Sequence, residues 1–201
     1  MSFWGSFGAS LVDAAAVLAI AALLWSACKF RILRFWAGRG SARAQLALGT
    51  MYASGKGADQ DYDEAMRWFR KAAAQGSTGA MDSIGVLYTL GLGVRKDDAE
   101  AFRWYMKSAW LGSTDGMNSV GHQYLMGEGV EQDEEESVRW FRKAAELGNP
   151  MAQNNLALSY ATGQGIEKNR DEAVRWFRTA ARNGYREAIG NLEQLRKDGV
   201  L

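Results

Sequence analysis

The chain has 201 residues, a formal net charge of +1 and 47% hydrophobic residues, with one proline and one cysteine. This composition excludes collagen-like and disordered chains, and the lack of a basic excess argues against a nucleic-acid-binding protein. The single cysteine, Cys28, cannot form an internal disulfide bond, so packing must hold the fold together.

The N-terminal segment, residues 1–28, carries one charged side chain, Asp13. Its apolar run over residues 7–28 is long enough to cross about 30 Å of hydrocarbon as a helix. Aromatic residues at both ends of the run suit the two membrane interfaces. We therefore predict an N-terminal transmembrane helix that anchors the chain in a membrane.

Residues 29–41 follow as a basic juxtamembrane segment. The cations that come after the apolar run, with none before it, are Lys29, Arg31, Arg34, Arg39 and Arg43. The positive-inside rule then predicts a single-pass membrane protein whose remaining domain is cytoplasmic, with a periplasmic location as the alternative.

Three other interpretations of residues 1–28 stay open. A cleaved signal peptide would need a basic start, which is missing here. A lipoprotein signal ending at Cys28 has suitable small residues in Ser26 and Ala27, although Trp25 fits that motif poorly. A buried soluble helix would need a partner surface, because the run is apolar nearly all round.

A repeated motif organises the rest of the chain. Trp68, Trp104, Trp140 and Trp176 recur at a constant spacing of 36 residues, each inside an Arg-Trp-aromatic triplet. A fixed period of this size indicates a helical repeat array. The repeats are predicted at 42–77, 78–113, 114–149 and 150–185, and a shorter segment, 186–201, is predicted to be a C-terminal capping helix.

Each repeat is predicted to contain two helices, called helix A and helix B. On helix A, residues four apart share one face that must be buried: Ala44, Leu48 and Tyr52, with their equivalents in later repeats. A glycine beside this face, such as Gly85 or Gly121, predicts that a neighbouring backbone or a Trp ring packs closely. Helix B is predicted to bury the Trp and the small pair that follows it, such as Ala144 and Ala145.

The junctions between the helices also repeat. A Gly-x-Gly turn, as in Gly127 and Gly129, ends helix A; it lacks the third glycine and preceding strand of a dinucleotide-binding loop, so we interpret it as structural. Helix B then begins at a capping box, in which Asp or Asn is followed three residues later by Glu: Asp61/Glu64, Asp97/Glu100, Asp133/Glu136 and Asn169/Glu172.

The combined pattern is A-x₃-[LIV]-G-x₂-Y-x₂-G-x-G-x₃-D-x₂-E-A-x₂-W-[FY]-x-K-A-A-x₂-G, and it resembles the Sel1-like repeat family, relatives of the tetratricopeptide repeats. The resemblance covers 42–185. It implies an all-α, right-handed α/α superhelical solenoid that serves as a protein interaction scaffold, often in bacterial signalling, envelope and host-contact proteins. Cysteine-rich relatives linked to β-lactam binding are not a guide here, because these repeats contain no cysteine.

Helix-A positions that vary between repeats are the predicted partner-binding site, since the fold does not fix them. In the family, helix A lines a concave groove. A polar ladder and a second row four residues on are predicted to face a bound peptide or domain: Asp82, Asn118 and Asn154, then Val86, His122 and Leu158.

The residue content gives no support for catalysis or metal binding. His122 is the one histidine and has no local cysteine or second histidine, so it lacks the companions of a metal site. No nucleophile–base–acid motif is recognisable. We therefore expect a non-enzymatic scaffold without cofactor or small-molecule substrate, which binds a protein partner. The alternative is a periplasmic or lipidated envelope protein that binds and neutralises or organises a secreted protein.

Overall fold

The computed structural model describes residues 28–197, and all regular secondary structure within that range is helical. The chain divides into two compact units after Gln75. The first contains α1 over residues 28–38, α2 (Ala42–Ser54) and α3 (Tyr62–Ala73). The second contains α4 (Thr78–Leu90), α5 (Asp98–Trp110), α6 (Thr114–Met126), α7 (Glu134–Glu146), α8 (Pro150–Thr162), α9 (Arg170–Arg182) and α10 (Arg186–Lys197). The all-α prediction, with helices in repeating pairs, is confirmed.

The predicted transmembrane helix lies almost entirely outside the described residues, which begin at Cys28. Within residues 28–197, no helix combines the length and the apolar character that crossing a bilayer requires.

The buried face of helix A follows the predicted four-residue spacing. Leu48 in the first unit, and Ile84, Val120 and Leu156 in the second, are fully buried. The small side chains Ala65, Ala101, Ser137 and Ala173 of helix B are also fully buried. A small side chain at this position lets the two helices of a repeat approach closely; a Cβ on Gly121, for example, would lie 3.1 Å from the carbonyl oxygen of Ser137.

The glycine next to this face accommodates an aromatic ring, but not the ring of the recurring Trp. A Cβ on Gly121 would lie 2.7 Å from the ring of Phe141, and one on Gly85 would lie 2.5 Å from that of Tyr105. Both aromatics come directly after a Trp in sequence. Since a helix rotates by about 100° per residue, the aromatic after the Trp points at helix A and the Trp itself lies to one side.

The predicted capping box forms only in part. Each cap carboxylate or amide accepts from the backbone N–H three residues on, as in Asp97 Oδ1 with Glu100 N at 2.9 Å. The reciprocal bond is missing because the Asp97 N–H donates to the carbonyl of Tyr88 on helix A. Glu100 instead forms an ion pair with Arg103 at 2.7 Å, and the same arrangement recurs in α3, α7 and α9.

Helix α1 occupies the place of a helix B that precedes the first full repeat. Phe30, Leu33 and Ala37 pack against α2 near Ala44 and Leu48. Gln45 Nε2 donates to the Ala37 carbonyl at 3.1 Å, just as Gln153 Nε2 donates to Ala145 at 3.0 Å in the second unit.

Ring contacts agree with this equivalence. The Phe30 and Tyr52 rings meet edge to face at 5.7 Å, and their counterparts Phe102 and Tyr124 meet edge to face at 5.4 Å. The segment predicted as a basic juxtamembrane stretch therefore also forms part of the helical core of the first unit.

Candidate functional site

The predicted partner-binding residues fall into two groups in the second unit. Val86, His122 and Leu158 are exposed on α4, α6 and α8. Other large apolar side chains are exposed on the same helices. We call this surface the helix-A face and define it by six residues: Val86, Leu90, His122, Met126, Met151 and Leu158.

The polar ladder, in contrast, is engaged between neighbouring repeats. Asn118 is 8% exposed and Asn154 is 4% exposed. Asn118 Oδ1 accepts from Asn155 Nδ2 at 2.9 Å, and Asn154 Oδ1 accepts from Asn191 Nδ2 at 2.8 Å. A buried amide whose hydrogen bonds join two helices contributes to the stability of the stack, so these side chains brace the helix-A face.

Asp82 holds the equivalent position in α4 and is half-buried. Its Oδ2 accepts from the Ser113 hydroxyl at 2.7 Å, while its buried Oδ1 finds no donor among the described residues. A Cβ on Gly116 would lie 2.9 Å from Oδ1, so glycine replaces the usual alanine of this register to leave room for the carboxylate. Burial raises the pKa of Asp82, and the hydroxyls of Ser108 and Ser113 only partly offset that effect.

Replacing Asp82 with asparagine is expected to stabilise the protein at neutral pH by about 1 kcal/mol, because an amide needs no ionised form in this buried place. A carboxyl whose folded-state pKa is raised favours folding below its ordinary pKa, and this contribution is lost as pH rises through the folded-state value. The gain should therefore shrink as pH falls below about 4. Thermal unfolding midpoints at both pH values would test this.

The control for this measurement is Asp171→Asn, the same charge change at an exposed position in α9. An equal gain in both variants would show that net charge, and not the burial of Asp82, is responsible.

His122 has an acidic neighbour on the helix-A face. Its Nδ1 lies 4.0 Å from Glu128 Oε2, and both side chains are partly exposed. Within residues 28–197, no cluster of three or more His, Cys, Asp or Glu side chains is arranged to hold a metal ion. The arrangement of His122 and Glu128 suits a polar contact to a bound chain.

A family model for the Sel1 repeat matches residues 42–77, 79–113, 114–149 and 150–185. The chain belongs to the Sel1 repeat family. The expected resemblance is thereby confirmed over most of the sequence. No curated protein sequence matches the chain.

Solved structures of Sel1 repeat proteins are similar in fold and sequence. A protective antigen present in uropathogenic Escherichia coli strains is 37% identical, with a TM-score of 0.78 over 85% of this chain. A Sel1 repeat protein from Oxalobacter formigenes is 36% identical, with a TM-score of 0.78 over 83% of this chain. The alignments span 36% of the antigen and 68% of the Oxalobacter protein.

A more distant match is the cysteine-rich protein B of Helicobacter pylori, 24% identical, with a TM-score of 0.53. It covers 66% of this chain and 96% of the Helicobacter protein. At this identity the similarity concerns the fold.

A second exposed apolar surface of this Sel1 repeat protein was not expected from its sequence. Trp110 is 74% exposed at the end of α5, and Leu111 and Leu147 are exposed just after α5 and α7. Aligning the repeats with one another could have revealed this surface, because the residue type at the position of the two leucines changes from polar to apolar. Gln75 and Asn183 hold the position of the two leucines and bond to Gln45 and Gln153 on helix A at 2.7 and 2.9 Å.

The first unit of the Sel1 repeat protein contains a cavity of 610 Å³. It lies where α1 meets the turn between α2 and α3. Its lining joins aromatic rings, carboxylates and one guanidinium: Phe30, Arg34, Tyr52, Ala58, Asp59, Gln60, Asp61, Glu64 and Trp68. Arg34 is the one cation of α1 that lines this cavity, which it shares with Asp59, Asp61 and Glu64.

Proposed function

We propose that this Sel1 repeat protein is a non-enzymatic scaffold that binds a partner protein through the helix-A face of its second unit. The observation that carries the proposal is the row of exposed apolar side chains on successive A helices, from Val86 on α4 to Leu158 on α8. The core does not need these side chains. Exposed apolar patches of this kind are a hallmark of interaction sites.

The helix-A face also has the polar groups that orient a bound chain. Ser83 and Ser119 lie among the apolar residues, and Asn155 is positioned by Asn118 beneath it. Because Asn118 and Asn154 are buried and bonded, the face is rigid, which lowers the entropy cost of binding. A suitable partner is an extended or helical segment that presents apolar side chains together with backbone or amide groups.

The double variant Val86→Ser/Leu158→Ser is expected to weaken partner binding about tenfold or more, because interface energy is concentrated in a few apolar anchors. The unfolding free energy should change by less than about 1 kcal/mol, since both side chains are exposed. Binding titration and urea unfolding measure the two effects separately. A large loss of stability with unchanged binding would contradict the proposal.

The partner and the face that it uses would be identified by photo-crosslinking. A photoreactive amino acid would replace Val86, Leu158 or Met126 in the helix-A face, and, as controls, the exposed Arg103 or Arg139 on helix B. The proposal expects one protein to be captured from the helix-A positions only. Capture from the helix-B controls would assign binding to another surface.

Membrane attachment through residues 7–28 is the second part of the proposal, and it is supported by the sequence of that segment. A tether would raise the concentration of the scaffold near membrane partners. A C-terminal reporter that is active on one side of the membrane, with mass analysis of Cys28, tests it. An active cytoplasmic reporter and unmodified Cys28 are the expected results.

The alternative is a periplasmic or lipidated envelope protein that binds and neutralises or organises a secreted protein. The observation that favours it is the 37% identity to a protective antigen. A periplasmic reporter or a lipid on Cys28 would replace the first proposal with this one.

A further inference from the structure

The outer face of α1 is apolar and uncovered in the first unit. Ile32, Phe35 and Trp36 are each about half exposed. They share one side of the helix, opposite to Phe30, Leu33 and Ala37, which pack on α2. The buried side alone accounts for the attachment of α1 to the first unit.

In the full repeats, the equivalent side of helix B packs on helix A of the same repeat. The positions that correspond to Lys29 and Trp36 hold only alanine or serine there, and all of these are fully buried: Ala65, Ala101, Ser137 and Ala173, then Ala72, Ser108, Ala144 and Ala180. Lysine and tryptophan are much larger than alanine and serine, so a helix cannot approach this side of α1 as closely as helix A approaches helix B in the repeats. A further helix A, from this chain or from a second copy, therefore does not fit the outer face of α1 in the geometry of the repeats.

The charges on this face are all positive. Lys29, Arg31 and Arg39 are exposed, and residues 28–41 contain no acidic side chain. The Arg39 guanidinium lies 4.6 Å from the centre of the Phe35 ring, so that cation and aromatic ring form one surface. Arg34 lines the acidic cavity and is therefore not part of this outer face.

We infer that the outer face of α1 binds an anionic lipid surface. Tryptophan and phenylalanine are suited to the boundary between headgroups and acyl chains. The Trp36 ring prevents a rigid helix from packing on this face, but a fluid bilayer can adapt its shape to the ring. Lysine and arginine beside them attract acidic headgroups. This contact would hold the first unit flat against the bilayer, and it is independent of the partner-binding helix-A face.

The test uses the full chain in vesicles and reads the depth of single positions. In a Cys28→Ser background, Ile32→Cys or Ala74→Cys carries a nitrobenzoxadiazole fluorophore; Ala74 is an exposed control in the same unit. Quenching is measured with lipids that bear a spin label near the headgroup, in phosphatidylcholine with or without phosphatidylglycerol. We expect strong quenching at position 32 but not 74, and only with the anionic lipid.

The cations are tested in the same assay with the triple variant Lys29→Gln/Arg31→Gln/Arg39→Gln. Three surface charges should shift the equilibrium between docked and free α1 by about a hundredfold, so quenching at position 32 should fall to the level at position 74. Equal quenching at both positions, or quenching unchanged by the triple variant, would overturn the inference. So would a label at position 32 that is shielded from aqueous iodide but not quenched by lipid, because protein would then cover the face.

Discussion

The variant Gly129→Ala is expected to lower the unfolding free energy by about 2–5 kcal/mol. Gly129 has φ +73°, a left-handed conformation that costs a residue with a Cβ about 1–2 kcal/mol. In addition, the new Cβ would overlap the backbone of Asp98 and Ala99 at the start of α5. Backbone cannot move aside as a flexible side chain can, and overpacking of this kind costs about 1–3 kcal/mol more.

The matched control is Gly112→Ala. Gly112 has a φ of +91°, but no described atom lies within 4 Å of the place where its Cβ would be. It should therefore lose only the conformational part, about 1–2 kcal/mol. Urea unfolding followed by circular dichroism compares the two variants. Equal losses would show that the turn at Gly129 does not press on the preceding repeat.

That contact explains why the second glycine of the turn recurs. The turn after helix A of one repeat lies on the first residues of helix B in the repeat before it. Gly165 meets the backbone of Glu134 in the same way that Gly129 meets Asp98. The Gly-x-Gly motif is thus a joint between repeats as well as the end of a helix, and this supports its structural interpretation over a phosphate loop.

The repeat period made most of the fold predictable. Fully buried Leu48, Ile84, Val120 and Leu156 lie at one register, and a strict spacing shows such a register directly in the sequence. The Asp or Asn caps of helix B were equally visible, because a cap acts within four residues. The partner of the capping-box Glu could not be predicted. It depends on whether the N–H of the cap residue is free, and the Asp97 N–H is already bonded to Tyr88 on another helix.

The polar ladder was harder to interpret for the same reason. Variation between repeats at Asp82, Asn118 and Asn154 indicated freedom from the fold, yet each side chain accepts a hydrogen bond. Asp82 accepts from Ser113 at the end of its own repeat, and the two asparagines accept from the segment that follows theirs. Asn118 bonds to Asn155 and Asn154 to Asn191, so the feature that recurs in these two repeats is the Asn–Asn pair and not the single position. Val86, His122 and Leu158 show no comparable pairing with a recurring residue, and they remain the predicted binding residues.

Helix α1 shows a further limit of the period. The Arg-Trp-aromatic triplet reads Arg31-Ile32-Leu33 here, and two small residues of the repeat are replaced by Lys29 and Trp36, so the repeat motif is not recognisable. The inner face keeps Phe30, Leu33 and Ala37 in register. The repeat period alone therefore did not predict that this basic segment packs on α2 in the place of a helix B.

Replacing Trp140 with alanine is expected to cost about 3–5 kcal/mol, the loss typical of a buried aromatic side chain. Trp140 is 5% exposed, whereas Trp104 and Trp176 are only partly buried. The equivalent variant Trp104→Ala should cost about 2–3 kcal/mol, because less apolar area is lost. Urea unfolding of both variants tests this order, and equal losses would contradict it.

The difference between the two tryptophans is attributed to Trp110. The rings of Trp110 and Trp140 meet edge to face at 6.2 Å. A lysine lies over both tryptophans, Lys107 over Trp104 and Lys143 over Trp140, so that contact does not distinguish them. Trp110→Ala should therefore cost about 0.5–1.5 kcal/mol, and this cost should vanish in the Trp140→Ala background, as a double-mutant cycle would show. Additive losses would mean that Trp110 does not shield Trp140. Coupled losses would give Trp110, although 74% exposed, a structural role that the leucines beside it lack.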